Sequence, residues 1–252
     1  MFSAARRIKR LYFESLRKNR LTRTIQDLDN YLTNVEILSG LPSAKNALVL
    51  SPHPDDESIG CGGALALLSQ AGTQVDVAFL SSGAVSGDLK TAARREDEAR
   101  AAAKVLGLHE LHFLRGQDGD LHLQPWLSDS VQALLEKKTY SLLFCPWPLD
   151  GQSDHAAAFR IFRNALRRAN LVAEVWLYEV WAPLLANRVV NIDSVIEVKR
   201  QAIDSHASQV SNINYTEKFL ALAAYRSLIC RPGNYAEAFF ACNGALLESL
   251  VP

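Results

Sequence analysis

The chain is 252 residues long, 48% apolar and 21% charged, with 27 basic and 27 acidic side chains. That suits one sizeable α/β domain or two small ones with a large core. A formal net charge of zero argues against a nucleic-acid partner, and no apolar run approaches the ~18–20 residues of a membrane span.

Residues 1–25 hold eight Arg/Lys and one acid, and Phe2, Ile8, Leu11, Tyr12 and Leu16 share one side of a helix drawn there. No uninterrupted apolar stretch follows the basic residues, so this is not a secretory signal. The reading is an N-terminal helical arm over 1–44 with three alternative roles. It packs on the domain or on a second copy in a homo-oligomer, makes a peripheral membrane contact with anionic lipid, or serves as a mitochondrial-type presequence.

From residue 45 onward the pattern alternates. "ALVLS" (47–51) reads as a short buried strand, 61–71 as a helix closed by Gly72, and "QVDVAFLSS" (74–82) as a second strand. A helix over 91–106 ends at Gly107, placed where a C′ glycine belongs. "ELHFL" (110–114), a helix over 126–137, "SLLFCP" (141–146) and a helix over about 155–168 follow. "EVWLYEVW" (174–181) is a fifth strand, with helices near 194–206 and 215–229 and a terminal strand at "YAEAFFAC" (235–242). Strands separated by helices predict a single Rossmann-like α/β domain over 45–252, its largely parallel sheet flanked by helices. The four cysteines, Cys61, Cys145, Cys230 and Cys242, form no CxxC pair and no disulfide-like spacing, which points to a reducing, cytoplasmic compartment.

The chemistry concentrates in "SPHPDDESIGCGG" (51–63). His53, Asp55, Asp56 and Glu57 follow the first predicted strand, at the carboxyl rim where open α/β sheets collect ligands. Pro52 and Pro54 fix φ on either side of His53, and the glycines allow close backbone approach. Adjacent buried carboxylates are costly unless a cation or a dense hydrogen-bond set compensates. Helix capping explains one or two of the acids, but not the histidine between prolines. A divalent metal is the simpler answer, and imidazole with carboxylate suits Zn2+ and also Fe2+. A further ligand is expected at another strand end, and "PWPLDGQSDHAAAFR" (146–160) offers His155 in the first turn of a helix capped by Ser153 or Asp154. His109, His112 and His122 lie around the third strand, which leaves His206, late in its helix, as the serious rival. A catalytic zinc site takes three protein ligands and an open position for water. His53, Asp56 and His155 meet that count and leave Asp55 free as general base for hydrolysis.

These residues resemble the LmbE-like, or PIG-L, family of zinc-dependent N-acetylglucosaminyl deacetylases. "SPHPDDESIGCGG" matches the family's PHPDDE-type motif and "SDH" (153–155) the end of its second motif. "RREDEARAAAKVLGL", "FLRGQDGDL", "YEVWAP", "KRQAIDSHASQ" and "YAEAF" also look like family segments, so the likeness spans about 45–242. It implies His53, Asp56 and His155 as metal ligands, Asp55 as base, and an amino-sugar small molecule or glycoconjugate as substrate. Many members carry a histidine three residues before the last ligand; here Gln152 stands there. A glutamine amide donates a hydrogen bond to an oxyanion but cannot deliver a proton. Either Asp55 shuttles the proton, His206 reaches in from its helix, or the protein is slow or inactive on simple sugars. Arg95 is a candidate substrate contact, although an i,i+3 pair with Glu98 explains it as well. Asp118 is another, against a plain Asp-Gly turn. Asp154 either orients a ligand histidine or caps its helix. Trp176, Tyr178 and Trp181 read mostly as core, while an aromatic at a strand end can stack on a sugar face. The alternatives to a sugar deacetylase are an amidase of another N-acyl glycoside and a catalytically impaired metal-binding partner subunit.

Overall fold

The computed structural model describes residues 38–84, 88–211, 213–229 and 233–243, with 247 and 250. The predicted arm up to residue 37, and Cys230, lie outside the described residues. Eight strands form one sheet: β1 (Leu38–Ser39), β2 (Asn46–Ser51), β3 (Gln74–Ser81), β4 (Glu110–Gly116), β5 (Leu142–Pro146), β6 (Glu174–Tyr178), β7 (Arg188–Asn191) and β8 (Ala236–Cys242). Their order is β1-β7-β8-β6-β5-β2-β3-β4. Among these strands β8 runs antiparallel to both its neighbours, and every other pair is parallel. Seven α-helices and two short 3-10 helices (Leu121–Leu123 and Asp193–Val195) accompany the sheet among the described residues, the α-helices being α1 (Asp56–Gln70), α2 (Leu89–Leu106), α3 (Trp126–Lys137), α4 (Ser153–Ala169), α5 (Ile196–Ser205), α6 (Ala207–Val210) and α7 (Tyr215–Arg226).

The apolar runs of the strands follow from burial on both faces. Successive side chains point to opposite sides, so Ala47, Val49, Val75 and Val77 pack with α1, α2 and α5. Leu48, Leu50, Ala78 and Leu80 pack on the other side with α3 and α4. Helix α1 sits unusually deep, and a Cβ on Gly63 would come within 2.7 Å of Ile192. Glycine at 63 is therefore a packing requirement.

The chain runs from β2 outward through β3 to β4, then returns to place β5 on the other flank of β2. That reversal opens a crevice at the carboxyl ends of β2 and β5, where "SPHPDDE" and "SDH" lie.

The boundaries differ from expectation in instructive places. Helix α1 begins at Asp56 rather than 61, because the proline-stiffened turn ends at Asp55 and deep burial tolerates the glycines. β6 ends at Tyr178, so Trp176 and Tyr178 are core while Trp181 lies in the loop beyond it. The helix expected near 194–206 runs as α5 over Ile196–Ser205, and His206 stands between it and the short α6. Short β7 was not anticipated. Nor was β1, which lies in the stretch assigned to the arm and pairs with β7, so the sheet begins before residue 45. No helix among the described residues is long and apolar enough to cross a membrane.

Candidate active site

The crevice is built around the turn from β2 into α1. Ser51 Oγ donates to the His53 carbonyl at 2.7 Å, and the His53 amide donates to Asp56 Oδ2 at 3.0 Å. Asp55, the residue before the helix, has φ +141°, a conformation that costs an L-residue ~1–3 kcal/mol and persists only when its surroundings impose it. They do so from three sides. The Asp55 amide donates to Glu57 Oε2 at 3.2 Å, its carbonyl accepts from Ile59, and its carboxylate meets Arg95 Nη2 at 3.1 Å.

His53, Asp56 and His155 offer one ligand atom each, all within 4.8 Å of one another. Asp56 Oδ2 is 3.0 Å from His53 Nδ1 and 3.2 Å from His155 Nε2. His155 is fully buried, yet neither of its ring nitrogens makes a hydrogen bond. A buried imidazole with no hydrogen bond to either nitrogen, beside a carboxylate and a second imidazole, fits a divalent cation. The outer nitrogens face acids as well. His53 Nε2 lies 3.0 Å from Asp118 and 3.4 Å from Asp154, and His155 Nδ1 lies 3.5 Å from Asp150. Carboxylates at those positions can accept from the outer N–H of each ring, in the tautomer that would turn a lone pair inward to a cation.

Burial acts to raise the pKa of Asp56, but the adjacent His155 and His53 outweigh it and hold the carboxyl well below the usual range. Asp55 moves the other way. Burial and the charge of Asp56 push it up to about 6, against the pull of Arg95, His206 and His53.

The cavity over this cluster measures about 120 Å³ and is bounded by His53, Asp55, Asp56, Arg95, Asp118 and Gln152. Trp181, Gln209 and Tyr215 complete its wall. A larger cavity of about 470 Å³ opens beside the ends of β3 and β4, next to Glu96 and Arg115. It contains none of the clustered ligands, so chemistry rather than volume selects the smaller one.

Most candidates from the sequence therefore meet in one place, with particulars that local reading did not supply. Arg95 does not pair with Glu98; Arg94 does, at 3.1 Å. Arg95 turns inward and donates to the Gly83 and Pro54 carbonyls beside Asp55. Asp154 caps no helix: it accepts from the Gly119 and Leu121 amides and so pins the loop that carries Asp118. Gln152 lines the cavity. His206 does not line it. It is buried behind the turn, with Nε2 3.3 Å from Ser58 Oγ and 3.5 Å from Glu57. Sequence reasoning missed Asp150, whose carboxylate accepts from the Gln152 and Trp181 amides while facing His155. The second acid in "PLDGQSDH" was its available signal.

Comparison with known proteins gives the family. The family model PIG-L, described as GlcNAc-PI de-N-acetylase, matches residues 48–166. The diacetylchitobiose deacetylase of Thermococcus kodakarensis is 30% identical over 193 residues, covering 66% of this chain and 70% of that protein. A Bacillus cereus protein named "Probable N-acetyl-alpha-D-glucosaminyl L-malate deacetylase 2" is 25% identical over 197 residues, covering 73% of this chain and 83% of that protein. The solved structure of N,N'-diacetylchitobiose deacetylase from Pyrococcus horikoshii, complexed with its inhibitor MPG, shares the fold. It has a TM-score of 0.71 at 23% identity, over 80% of this chain and 85% of that one. The chain belongs to the PIG-L, or LmbE-like, family of N-deacetylases.

Proposed function

We propose that this protein is a zinc-dependent hydrolase, with ferrous iron as the alternative metal, that removes the N-acetyl group from an N-acetylglucosamine-type sugar or its conjugate. The observation that carries the reading is the joint placement of His53, Asp56 and His155 around one point, with Asp55 beside them on the same cavity wall. The names of the relatives support the amino-sugar class.

His53, Asp56 and His155 would hold the ion, which supplies Lewis-acid polarisation of the acyl oxygen and a water of lowered pKa. Asp55 is the general base on this reading. It takes a proton from the water that attacks the acyl carbon and returns it to the nitrogen as the C–N bond breaks, leaving acetate and a free amine. Arg95 holds the Asp55 carboxylate in place. The Gln152 amide donates a hydrogen bond to the developing oxyanion, and delivery of the proton falls to Asp55. Asp118 and Asp154 orient His53, and Asp150 orients His155. The location of His206 supports a positioning role through Glu57 rather than proton delivery. The catalytic unit is assigned to the α/β domain, with β1 (Leu38–Ser39) as part of its sheet, in the cytoplasm, and the basic segment before it to packing on the domain or a second copy, or to peripheral membrane contact.

The test is amine release from N-acetylglucosamine, its glycosides and a nucleotide conjugate, with zinc, with ferrous iron and after chelation. Chelation should abolish release. Asp55→Asn should retain the metal and lower kcat by roughly 10²–10⁴-fold. Unchanged turnover in Asp55→Asn, or no release by protein that binds one metal per chain, would overturn the proposal.

A further inference from the structure

We infer that Trp181, braced by Tyr215, is the platform on which the pyranose ring of the substrate lies, and hence the specificity-determining residue of this site. The inference rests on the amino-sugar reading above and extends it from the bond cleaved to the ring that carries it.

The argument starts from what the cavity lacks. Its wall beside the ligands is almost wholly charged or amide: Asp55, Asp118, Arg95, Gln152 and Gln209. Such groups recognise hydroxyls and an acyl oxygen. A hexopyranose also has an apolar C–H face, which polar groups cannot desolvate favourably. The aromatic residues among the described lining are Trp181 and Tyr215. Trp147 and Trp176 are buried, and of the two exposed tryptophans, Trp126 and Trp181, it is Trp181 that lines this cavity.

Neither ring packed against Trp181 lies parallel to it. Tyr215 meets it at 72° with centroids 5.7 Å apart, and Phe219 at 71° and 6.1 Å. Both are edge-type contacts, which fix an indole without stacking on it. An aromatic side chain held this way offers an apolar plane at small entropic cost.

The backbone holding Trp181 is fixed with equal care. Its amide donates to Asp150 Oδ2 at 2.9 Å, the same oxygen that lies 3.5 Å from His155 Nδ1. One carboxylate thus ties the Trp181 backbone to a metal-ligand candidate. The loop behind it is closed by a buried ion pair. Arg226 binds Glu179 through two nitrogens and also donates to the Leu184 carbonyl, while Glu179 accepts from the Leu184 amide. Both ends of the 179–184 segment are therefore anchored. An exposed indole serving solubility or packing alone needs no such support.

The decisive experiment measures binding apart from turnover. Zinc-loaded Asp55→Asn protein is titrated calorimetrically with methyl N-acetyl-β-glucosaminide, alone and combined with Trp181→Phe, Trp181→Leu or Trp181→Ala. Steady-state kinetics of the three single Trp181 variants run alongside. Trp181→Leu keeps apolar bulk without a flat face, and Trp181→Phe keeps the face. The expected result is about tenfold weaker binding, and a matching rise in KM, for Leu and Ala. Phe should stay within a few-fold of the parent, metal content should be unchanged, and kcat should move little. Equal affinity across all variants overturns the platform while leaving the deacetylase reading intact. Equal loss for Phe, Leu and Ala also overturns it, because a flat face then confers nothing. Failure of zinc-loaded Asp55→Asn protein to bind, and of zinc-loaded wild-type protein to cleave, any N-acetyl sugar overturns both readings together.

Discussion

Helix α1 has buried charge on two sides, and the sides are built differently. Behind the helix, Glu237 accepts from the Gly63 and Ala64 amides and from Lys199, whose ammonium also donates to the Ile59 carbonyl. Each carboxylate oxygen there has a donor. Toward the cavity, three acids follow one another, Asp55 sits at a strained φ, and His155 is buried with both nitrogens unbonded. The first arrangement is complete without a ligand and serves as a clamp. The second is incomplete and marks a site. Satisfaction of hydrogen bonds, rather than burial of charge, separates the two.

The largest test of that contrast is Glu237→Ala. It strands a buried ammonium and two amides, and should cost about 3–5 kcal/mol in urea denaturation with or without metal. A loss under about 1 kcal/mol would show that the clamp is dispensable. Added zinc probes the other side. At a hundredfold excess over its Kd it should stabilise the wild-type protein by about 2.7 kcal/mol. In His155→Asn that gain should vanish, and its persistence would place the ion elsewhere.

The smallest effect sharpens the comparison at a distant carboxylate. Asp76 on β3 is buried and accepts from Tyr140, Lys138 and His109. Burial pulls its pKa up, but those donors outweigh it and hold the group below its ordinary value. A carboxyl depressed on folding contributes stability above its unfolded pKa of about 3.9, and that contribution is lost as pH falls through the lower folded value. Stability measured from pH 6 downward should therefore decline in acid more for the wild-type protein than for Asp76→Asn. Parallel curves for the two would remove Asp76 from the set of satisfied acids.

The sheet and the acid-rich turn are legible in the amino-acid sequence because their signals are local. A strand covered on both faces must be apolar throughout, so β2, β3, β5 and β6 announce themselves. His53, Asp55 and Asp56 sit together in one proline-stiffened turn, and helical geometry brings His155 to the opposite rim. Short β7 carries too few residues for a periodic signal. The antiparallel setting of β8 is invisible in its own composition, because the direction of a strand depends on its neighbours.

By itself, then, the amino-acid sequence determined which segments are buried and which turn carries the cluster of acids and histidine at the crevice. Tertiary structure alone decided the partners across distance. Arg95 reaches Asp55 rather than Glu98, Asp154 holds the Asp118 loop, and His206 stands behind Glu57 instead of in the cavity. Lys199 finds Glu237, and Asp150 joins Trp181 to His155. Propensity, periodicity and capping act within a turn or a strand, over a few ångströms of chain. Contacts between residues tens of positions apart are set by strand order and helix seating, which the whole core decides at once.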